Sequence, residues 1–156
     1  MKIQFLYWLL FGGLVVQGYS QSVTVNVLDD EDDGTCNAAH CSFREAIQLL
    51  NEGKATAVNF ESSLADTLWL AQPLPDLEAR NGLIQGSGTH GVVISTRASV
   101  DYGWKIKGSR VTLKGLIFRG FESYGIQIDS LAEFVILLDN QLNYNEKELF
   151  CELLSQ

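Results

Sequence analysis

The chain has 156 residues, with 11 Lys and Arg against 19 Asp and Glu, and a net charge of −8. This length allows one domain and hardly two. Apolar residues make up 46% of the chain, which is enough to bury a core and excludes an intrinsically disordered protein. The acidic balance argues against a nucleic-acid-binding protein, because that function needs a basic surface.

The first twenty residues have the layout of a secretory signal peptide. Lys2 supplies a positive start, residues 3–16 are almost wholly apolar, and the small residues Gly18 and Ser20 precede Gln21. An uncleaved N-terminal anchor is the alternative, but this apolar run is shorter than the roughly 20 residues that a spanning helix needs. No later stretch is apolar enough to cross a membrane. We therefore expect an exported chain, secreted or held at the cell surface or outer membrane.

Two cysteines lie close together in the sequence that follows the predicted signal peptide. Cys36 and Cys41 are separated by four residues, and the oxidising compartment that export implies favours a small disulfide loop between them. A metal site of Cys36, His40 and Cys41 is the alternative. Zinc needs a fourth ligand, however, and no second pair with suitable spacing follows. Cys151 is left without an assigned partner.

Five consecutive acids, residues 29–33, precede the cysteine loop. Laid on the EF-hand template, Asp29, Glu31 and Asp33 occupy positions 1, 3 and 5. His40 then stands at position 12, where the template requires a bidentate Glu, so the run is not an EF-hand. Two interpretations remain: a looser calcium site on Asp29, Glu31 and Asp33, completed by backbone carbonyls, or a solvated acidic turn.

A short amphipathic helix is predicted over residues 43–52. Ser42 and Glu45 have the spacing of a capping box, in which the Ser hydroxyl and the Glu carboxylate satisfy two backbone N–H groups at the helix start. Gly53 supplies the expected stop. The apolar residues at positions i, i+3, i+4 and i+7 form one stripe, consisting of Phe43, Ala46, Ile47 and Leu50.

From residue 56 onward, short β-branched and apolar runs alternate with Gly, Asn and Ser, which is typical of β-strands. They are too short and too closely spaced for the helices of a βαβ fold. A sandwich, a barrel or a β-solenoid is therefore expected. The runs are 57–60, 67–70, 83–86, 92–94, 111–113, 125–128 and 134–138.

A shift of 22 residues along the chain superposes apolar positions, which is the signature of a solenoid. In this alignment the lumen is lined by Ile84, Ile106 and Ile128 in one column, Ile94, Leu116 and Leu138 in a second, and Leu113 and Val135 in a third. The residues predicted to point outward are Lys105, Lys107, Thr112, Lys114 and Gln127.

Three runs between Val23 and Ala46 also carry a resemblance to a known family. They are Val-Thr-Val-Asn-Val, Asp-Asp-Gly-Thr-Cys and Cys-Ser-Phe-Arg-Glu-Ala. Together they resemble the CSLREA domain found at the N-terminus of many secreted bacterial proteins, with Phe43 where the motif usually has Leu. In that family the domain precedes pectin-lyase-like repeats. The resemblance implies an all-β, right-handed parallel β-helix of about 22 residues per coil with a short N-terminal capping helix.

The expected organisation is a signal peptide (1–20), a CSLREA-like cap (21–55), parallel β-helix coils (56–141) and a tail (142–156). The tail pattern is typical of a helix. The tail is either a C-terminal cap or the end of a truncated, longer β-helix protein. The apolar face of the predicted helix consists of Leu149, Phe150, Leu153 and Leu154.

Enzymes on the scaffold that the resemblance implies are commonly polysaccharide lyases or hydrolases, which gather acids and bases on one face. No such set emerges here, because Asp101, Asp129 and Asp139 do not fall in one column and His90 has the setting of a turn residue. Trp104 and Tyr124 are candidates for stacking against sugar rings.

Two functions are therefore expected from the sequence. The first is a non-catalytic secreted or cell-surface module with a binding, adhesin-like or structural role, whose partner is a polysaccharide or a cell-surface protein. The alternative is a polysaccharide lyase or hydrolase of the pectin-lyase-like type, or a truncated relic of one. No cofactor other than calcium at the acidic run is expected.

Overall fold

The computed structural model describes residues 21–87, 91–143, 145 and 147–151. The predicted signal peptide and His90 lie outside the described residues. Within them the chain forms twelve strands and one helix, with these bounds: β1 (Ser22–Val25), α1 (Phe43–Asn51), β2 (Ala57–Phe60), β3 (Thr67–Leu70), β4 (Gly82–Gln85), β5 (Val93–Thr96), β6 (Tyr102–Ile106), β7 (Val111–Lys114), β8 (Ile117–Arg119), β9 (Tyr124–Ile128), β10 (Ile136–Leu138), β11 (Gln141–Asn143) and β12 (Lys147–Cys151).

The strands form three parallel sheets, in the orders β1-β2-β4-β7-β10, β11-β8-β5-β3 and β12-β9-β6. Successive strands enter the three sheets in turn, so the chain winds through the coils β4-β5-β6, β7-β8-β9 and β10-β11-β12. The predicted fold class, an all-β parallel β-helix with a short N-terminal helix, is confirmed. β1 lies within the predicted cap but pairs with β2, so the cap supplies the first strand of the solenoid.

The predicted 22-residue alignment holds only between β6 and β9 in the third sheet, where Ile106 pairs with Ile128. In the first sheet Ile84 pairs with Leu113, which lies 29 residues further on, and Leu113 pairs with Leu137 rather than Val135. In the second sheet Ile94 pairs with Phe118, not Leu116. The turns between strands differ in length from coil to coil, which a fixed repeat cannot represent.

The lumen holds a continuous apolar core. The inward column of the first sheet, Val58, Ile84 and Leu113, is fully buried. Ile94, Ile106 and Leu116 are also buried as predicted, and Ile128 and Val135 are half-buried. Leu138 was assigned to the lumen wrongly: it pairs with the outward Lys114 and is 45% exposed. The predicted outward residues are exposed or half-buried, namely Lys105, Lys107, Thr112, Lys114 and Gln127.

Helix α1 covers one end of this core. The Ser42 hydroxyl accepts from Glu45 N at 3.2 Å and the Glu45 carboxylate accepts from Ser42 N at 2.9 Å, so both halves of the capping box are present. The Phe43 ring lies 4.9 Å from that of Phe60 and 5.3 Å from that of Trp104. These contacts join the helix to the first coils, and edge-to-face geometry of this kind adds to the burial of apolar area.

The prediction of a helical tail is wrong for the described residues. β11 pairs with β8, and β12 pairs with β9, both in parallel. A strand placed there satisfies the N–H and C=O groups along the open edges of β8 and β9, and this tertiary gain outweighs a local helical pattern. The solenoid therefore extends past the predicted boundary at residue 141.

Candidate functional site

A groove of about 590 Å³ runs across the outer corner of the first sheet. It crosses the ends of β2, β4 and β7 and the turn after β10. Its less exposed lining residues are Phe60, Gly86 and Gly115, and its exposed polar lining consists of Ser62, Gln85, Ser87, Lys114 and Asp139. Its volume lies within the range of small-molecule sites, roughly 300–1,000 Å³.

Strand periodicity places two of these side chains. Gln85 and Lys114 are paired neighbours on β4 and β7, one position beyond the buried Ile84 and Leu113, so they point outward. The chain turns directly after each of them at a glycine. A Cβ on Gly86 would lie 2.3 Å from the Gly115 carbonyl oxygen, so the close approach of the two turns requires glycine there.

The groove carries one positive and one negative charge. Among the described residues, neither the Lys114 ammonium nor the Asp139 carboxylate lies within ion-pair distance of an opposite charge. Asp139 has a positive φ of 54° and directly follows Leu138, the residue paired with Lys114. Two unpaired charges and an amide therefore face solvent in one shallow depression.

The structure does not support one of the two predicted sugar-stacking residues. Trp104 is fully buried, its indole Nε1 donates to the Pro75 carbonyl at 2.8 Å, and its ring lies between those of Phe43 and Phe118. It is a core residue, so that prediction is wrong. Tyr124 is half-buried and stays a prediction.

A better exposed aromatic ring lies on the second sheet. Trp69 is 40% exposed, and the guanidinium of Arg97 lies 4.1 Å from its ring centroid. That cation–π contact occupies one face of the ring. The outward direction of Trp69 follows from the buried Leu68 and Leu70 on either side of it.

Two of the three acids considered for catalysis have structural partners. Asp101 accepts a hydrogen bond from the Ser123 hydroxyl at 2.5 Å, and Asp129 pairs with Lys105 at 3.1 Å. The Leu131 N–H and the Lys105 ammonium together lower the pKa of the Asp129 carboxyl. The structure does not bring Asp101 or Asp129 into the groove lining with Asp139.

The predicted disulfide joins Cys36 and Cys41, and the loop that it closes holds His40. The acidic run folds back over this loop. His40 Nε2 lies 3.2 Å from Asp29 Oδ1, and His40 Nδ1 lies 3.6 Å from Asp33 Oδ2 and 3.4 Å from Glu45 Oε2. Of the three predicted calcium ligands, Asp33 alone belongs to the group of potential metal ligands in the described residues, together with His40 and Glu45. Calcium binding stays a prediction.

The electrostatics of this cluster follow from its contacts. Burial opposes ionisation of Glu45, but backbone N–H groups of Ser42, Asp33 and Thr35 outweigh it and lower the pKa of the carboxyl. Desolvation also opposes the charged form of His40, yet the surrounding carboxylates raise the pKa of its imidazole. The sequence pattern showed the acids and the cysteines but not this convergence, because it depends on how the disulfide loop folds.

No protein family, curated protein or solved structure matches this chain. In the part of the chain that the structure describes, no helix has the length and apolar character needed to cross a membrane.

Proposed function

We propose that the protein is an exported, non-catalytic β-helix module that binds a polysaccharide through the groove at Gln85, Lys114 and Asp139. The observation that carries this proposal is the presence, in one open depression, of an amide and two charges that have no ion-pair partner within the described part of the chain. Exposed polar groups on adjacent coils of a solenoid make an extended surface suited to an extended chain.

The chemistry of the lining favours an uncharged polysaccharide. Lys114 and Asp139 offer donors and acceptors whose charges cancel, and Gln85 offers both an N–H donor and a carbonyl acceptor. The chain carries a net charge of −8, and a field of that sign repels polyanions at low ionic strength. Neutral sugar hydroxyls suit these groups without meeting that repulsion.

The groove lining favours binding over cleavage. Glycoside hydrolysis typically uses two carboxylates on either side of the bond, and Asp139 is the one acid among the described lining residues. A lyase or hydrolase of the pectin-lyase-like type stays as the alternative, with Lys114 as its base.

Export and the CSLREA-like character of the cap belong to the same proposal. The signal-like residues 1–20 and the disulfide between Cys36 and Cys41 support export, since disulfides persist in oxidising compartments. On this proposal the cap closes one end of a secreted or cell-surface binding module.

Calorimetric titration with neutral oligosaccharides of xylan, mannan and glucan type, and with polygalacturonate, tests the proposal. We expect one neutral class to bind, and Lys114→Ala and Gln85→Ala each to weaken it at least ~10-fold, because each removes a hydrogen bond to the ligand. Lys54→Ala is the matched control, since Lys54 is an exposed lysine paired with Glu52 away from the groove.

Two results would count against binding as the function. If none of the polymers binds, or if binding is unchanged in Lys114→Ala, the groove is not the site. If the purified chain depolymerises one of them and Lys114→Ala abolishes that turnover with the fold intact by circular dichroism, the enzyme alternative is correct.

A further inference from the structure

One ring nitrogen in the cap has no hydrogen-bond partner. The Nδ1 atom of His40 is buried and makes no hydrogen bond among the described residues, although the oxygens of Asp33 and Glu45 lie 3.6 and 3.4 Å away. The ligand atoms of these three residues all lie within 4.8 Å of one another. Two carboxylates and an unsatisfied imidazole nitrogen thus converge on one point.

The other ring nitrogen fixes the direction of this lone pair. His40 Nε2 lies 3.2 and 3.3 Å from the two oxygens of Asp29, so in the neutral ring Nε2–H donates to that carboxylate. In that neutral ring the Nδ1 lone pair faces carboxylate oxygens, and either a proton on Nδ1 or a metal ion among these atoms removes the repulsion. A histidine that donates its second N–H to a carboxylate is the usual arrangement around a bound metal ion.

Two of the three ligand separations are close to those of tetrahedral zinc, and the third is below 4.8 Å. Ligands at Zn–N and Zn–O distances of 2.0–2.1 Å at tetrahedral angles are about 3.3 Å apart. The distances from His40 Nδ1 to Glu45 Oε2 and to Asp33 Oδ2, 3.4 and 3.6 Å, are close to that value. Calcium instead takes six to eight oxygen ligands at longer distances, and an imidazole nitrogen does not suit it.

The remaining lone pairs of the two carboxylates are already oriented. Asp33 Oδ1 accepts from Thr35 N at 2.8 Å, and Glu45 Oε1 accepts from the backbone N–H groups of Asp33 and Thr35 at 3.1 and 3.3 Å. These bonds leave Asp33 Oδ2 directed at the imidazole. The side chain of Glu45 is 2% exposed, so its oxygens cannot turn to solvent.

We propose that Asp33 Oδ2, His40 Nδ1 and Glu45 Oε2 bind one Zn²⁺ ion, with water in the fourth position and Asp29 orienting the imidazole. The ion joins the acidic run, the disulfide loop and the first turn of α1. Like the disulfide, the ion cross-links segments of the cap. This site is independent of ligand binding at the groove.

Calorimetric titration of Zn²⁺ into the oxidised, full-length secreted chain tests this site, in a Cys151→Ser background that removes the third cysteine as a competing ligand. We expect one ion per chain. His40→Gln and Asp33→Asn should abolish binding, and Asp29→Asn should weaken it about 10–100-fold, as loss of a partner to a ligating histidine does. Thermal unfolding with and without Zn²⁺ supplies a second readout, because an ion that binds only the folded chain raises Tm.

Two variants serve as matched controls. His90→Gln removes the other histidine of the chain, and Glu31→Gln removes an acid of the same run that is outside the proposed ligand set. Both should bind Zn²⁺ like the parent. Glu45→Gln is avoided because it also breaks the capping box. Unchanged far-ultraviolet circular dichroism in His40→Gln shows that lost binding is not lost folding.

The proposal is overturned if the parent chain does not bind Zn²⁺, or if binding survives His40→Gln. It is also overturned if Ca²⁺ binds, Zn²⁺ does not, and Glu31→Gln abolishes calcium binding. That last result would establish the calcium site predicted at Asp29, Glu31 and Asp33 instead.

Discussion

The ion pair between Arg44 and Asp30 gives the sharpest test of how the cap is attached to the coils. Arg44 is 6% exposed, and its Nε and Nη2 donate to Asp30 Oδ1 at 3.0 and 2.6 Å. Its Nη1 donates to the Pro73 carbonyl at 3.0 Å. One side chain therefore joins the acidic run, the helix and the loop after β3.

Arg44→Met keeps the aliphatic stem and removes the charge. Deleting one partner of a buried ion pair leaves the other uncompensated and costs about 3–5 kcal/mol of unfolding free energy. At about 2–4 °C per kcal/mol for a chain of this size, Tm should fall by ~6–20 °C. Lys54→Met is the control, because its exposed pair with Glu52 contributes at most about 1 kcal/mol.

Urea and thermal unfolding followed by circular dichroism provide the measurement. The double variant Arg44→Met/Asp30→Leu should recover part of the loss, since it removes the buried carboxylate left without its charged partner, although Ala71 N–H then loses its acceptor. If Arg44→Met costs no more than Lys54→Met, the pair is not what attaches the cap, and the reasoning from burial is wrong.

Three further changes test other parts of the fold. Phe43→Ala removes the ring that packs α1 against Trp104 and should lower the free energy of unfolding in urea by about 3–5 kcal/mol. Asn140→Ala leaves the buried Leu116 N–H, now 2.9 Å from the amide oxygen, without a partner, and should cost about 1–3 kcal/mol in the same assay. A backbone N–H and a lysine lower the pKa of Asp129, so its stabilisation is present above the unfolded pKa near 3.8 and is lost as pH falls through the lower folded value. Below pH 4 the Tm of the parent should therefore fall more steeply than that of Asp129→Asn, and equal slopes would contradict the assignment.

Local sequence patterns predicted the helix and several of the strands, because interactions between residues close in the sequence determine where such elements begin and end. The helix follows from its capping box and apolar stripe, and its observed bounds, Phe43–Asn51, differ by one residue from the prediction. Strands such as β2 and β3 were located without error for the same reason: they are short β-branched or apolar runs between turn residues.

The strand register and the structure of the tail could not be predicted from local patterns. Pairing of Ile84 with Leu113 depends on the lengths of the intervening turns, and a fixed period cannot supply them. β12 forms on the edge of β9, a partner that the local pattern of residues 142–156 does not contain. Trp104 was misassigned although it lies two residues before the predicted lumen residue Ile106, and strand alternation places both on the buried face.

Four of the five acids of the run are exposed and Asp30 is half-buried, yet most of them have a specific side-chain partner. Asp30 pairs with Arg44, and Asp32 Oδ2 accepts from Gln48 Nε2 at 2.6 Å. Glu31, by contrast, makes no side-chain hydrogen bond or ion pair among the described residues. A solvated turn would tolerate any of these acids, whereas the structure gives most of them distinct partners around the start of α1, where the helix dipole favours negative charge.

That arrangement still leaves more carboxylates than cations around His40. Asp29, Asp33 and Glu45 face a single imidazole, and Arg44 is already engaged by Asp30. A proton on the imidazole adds one positive charge, and the Zn²⁺ ion proposed above would add two at a cluster whose ligand types suit it. On that proposal Asp33 is a metal ligand and Asp29 orients the imidazole, while Asp30 and Asp32 bind Arg44 and Gln48.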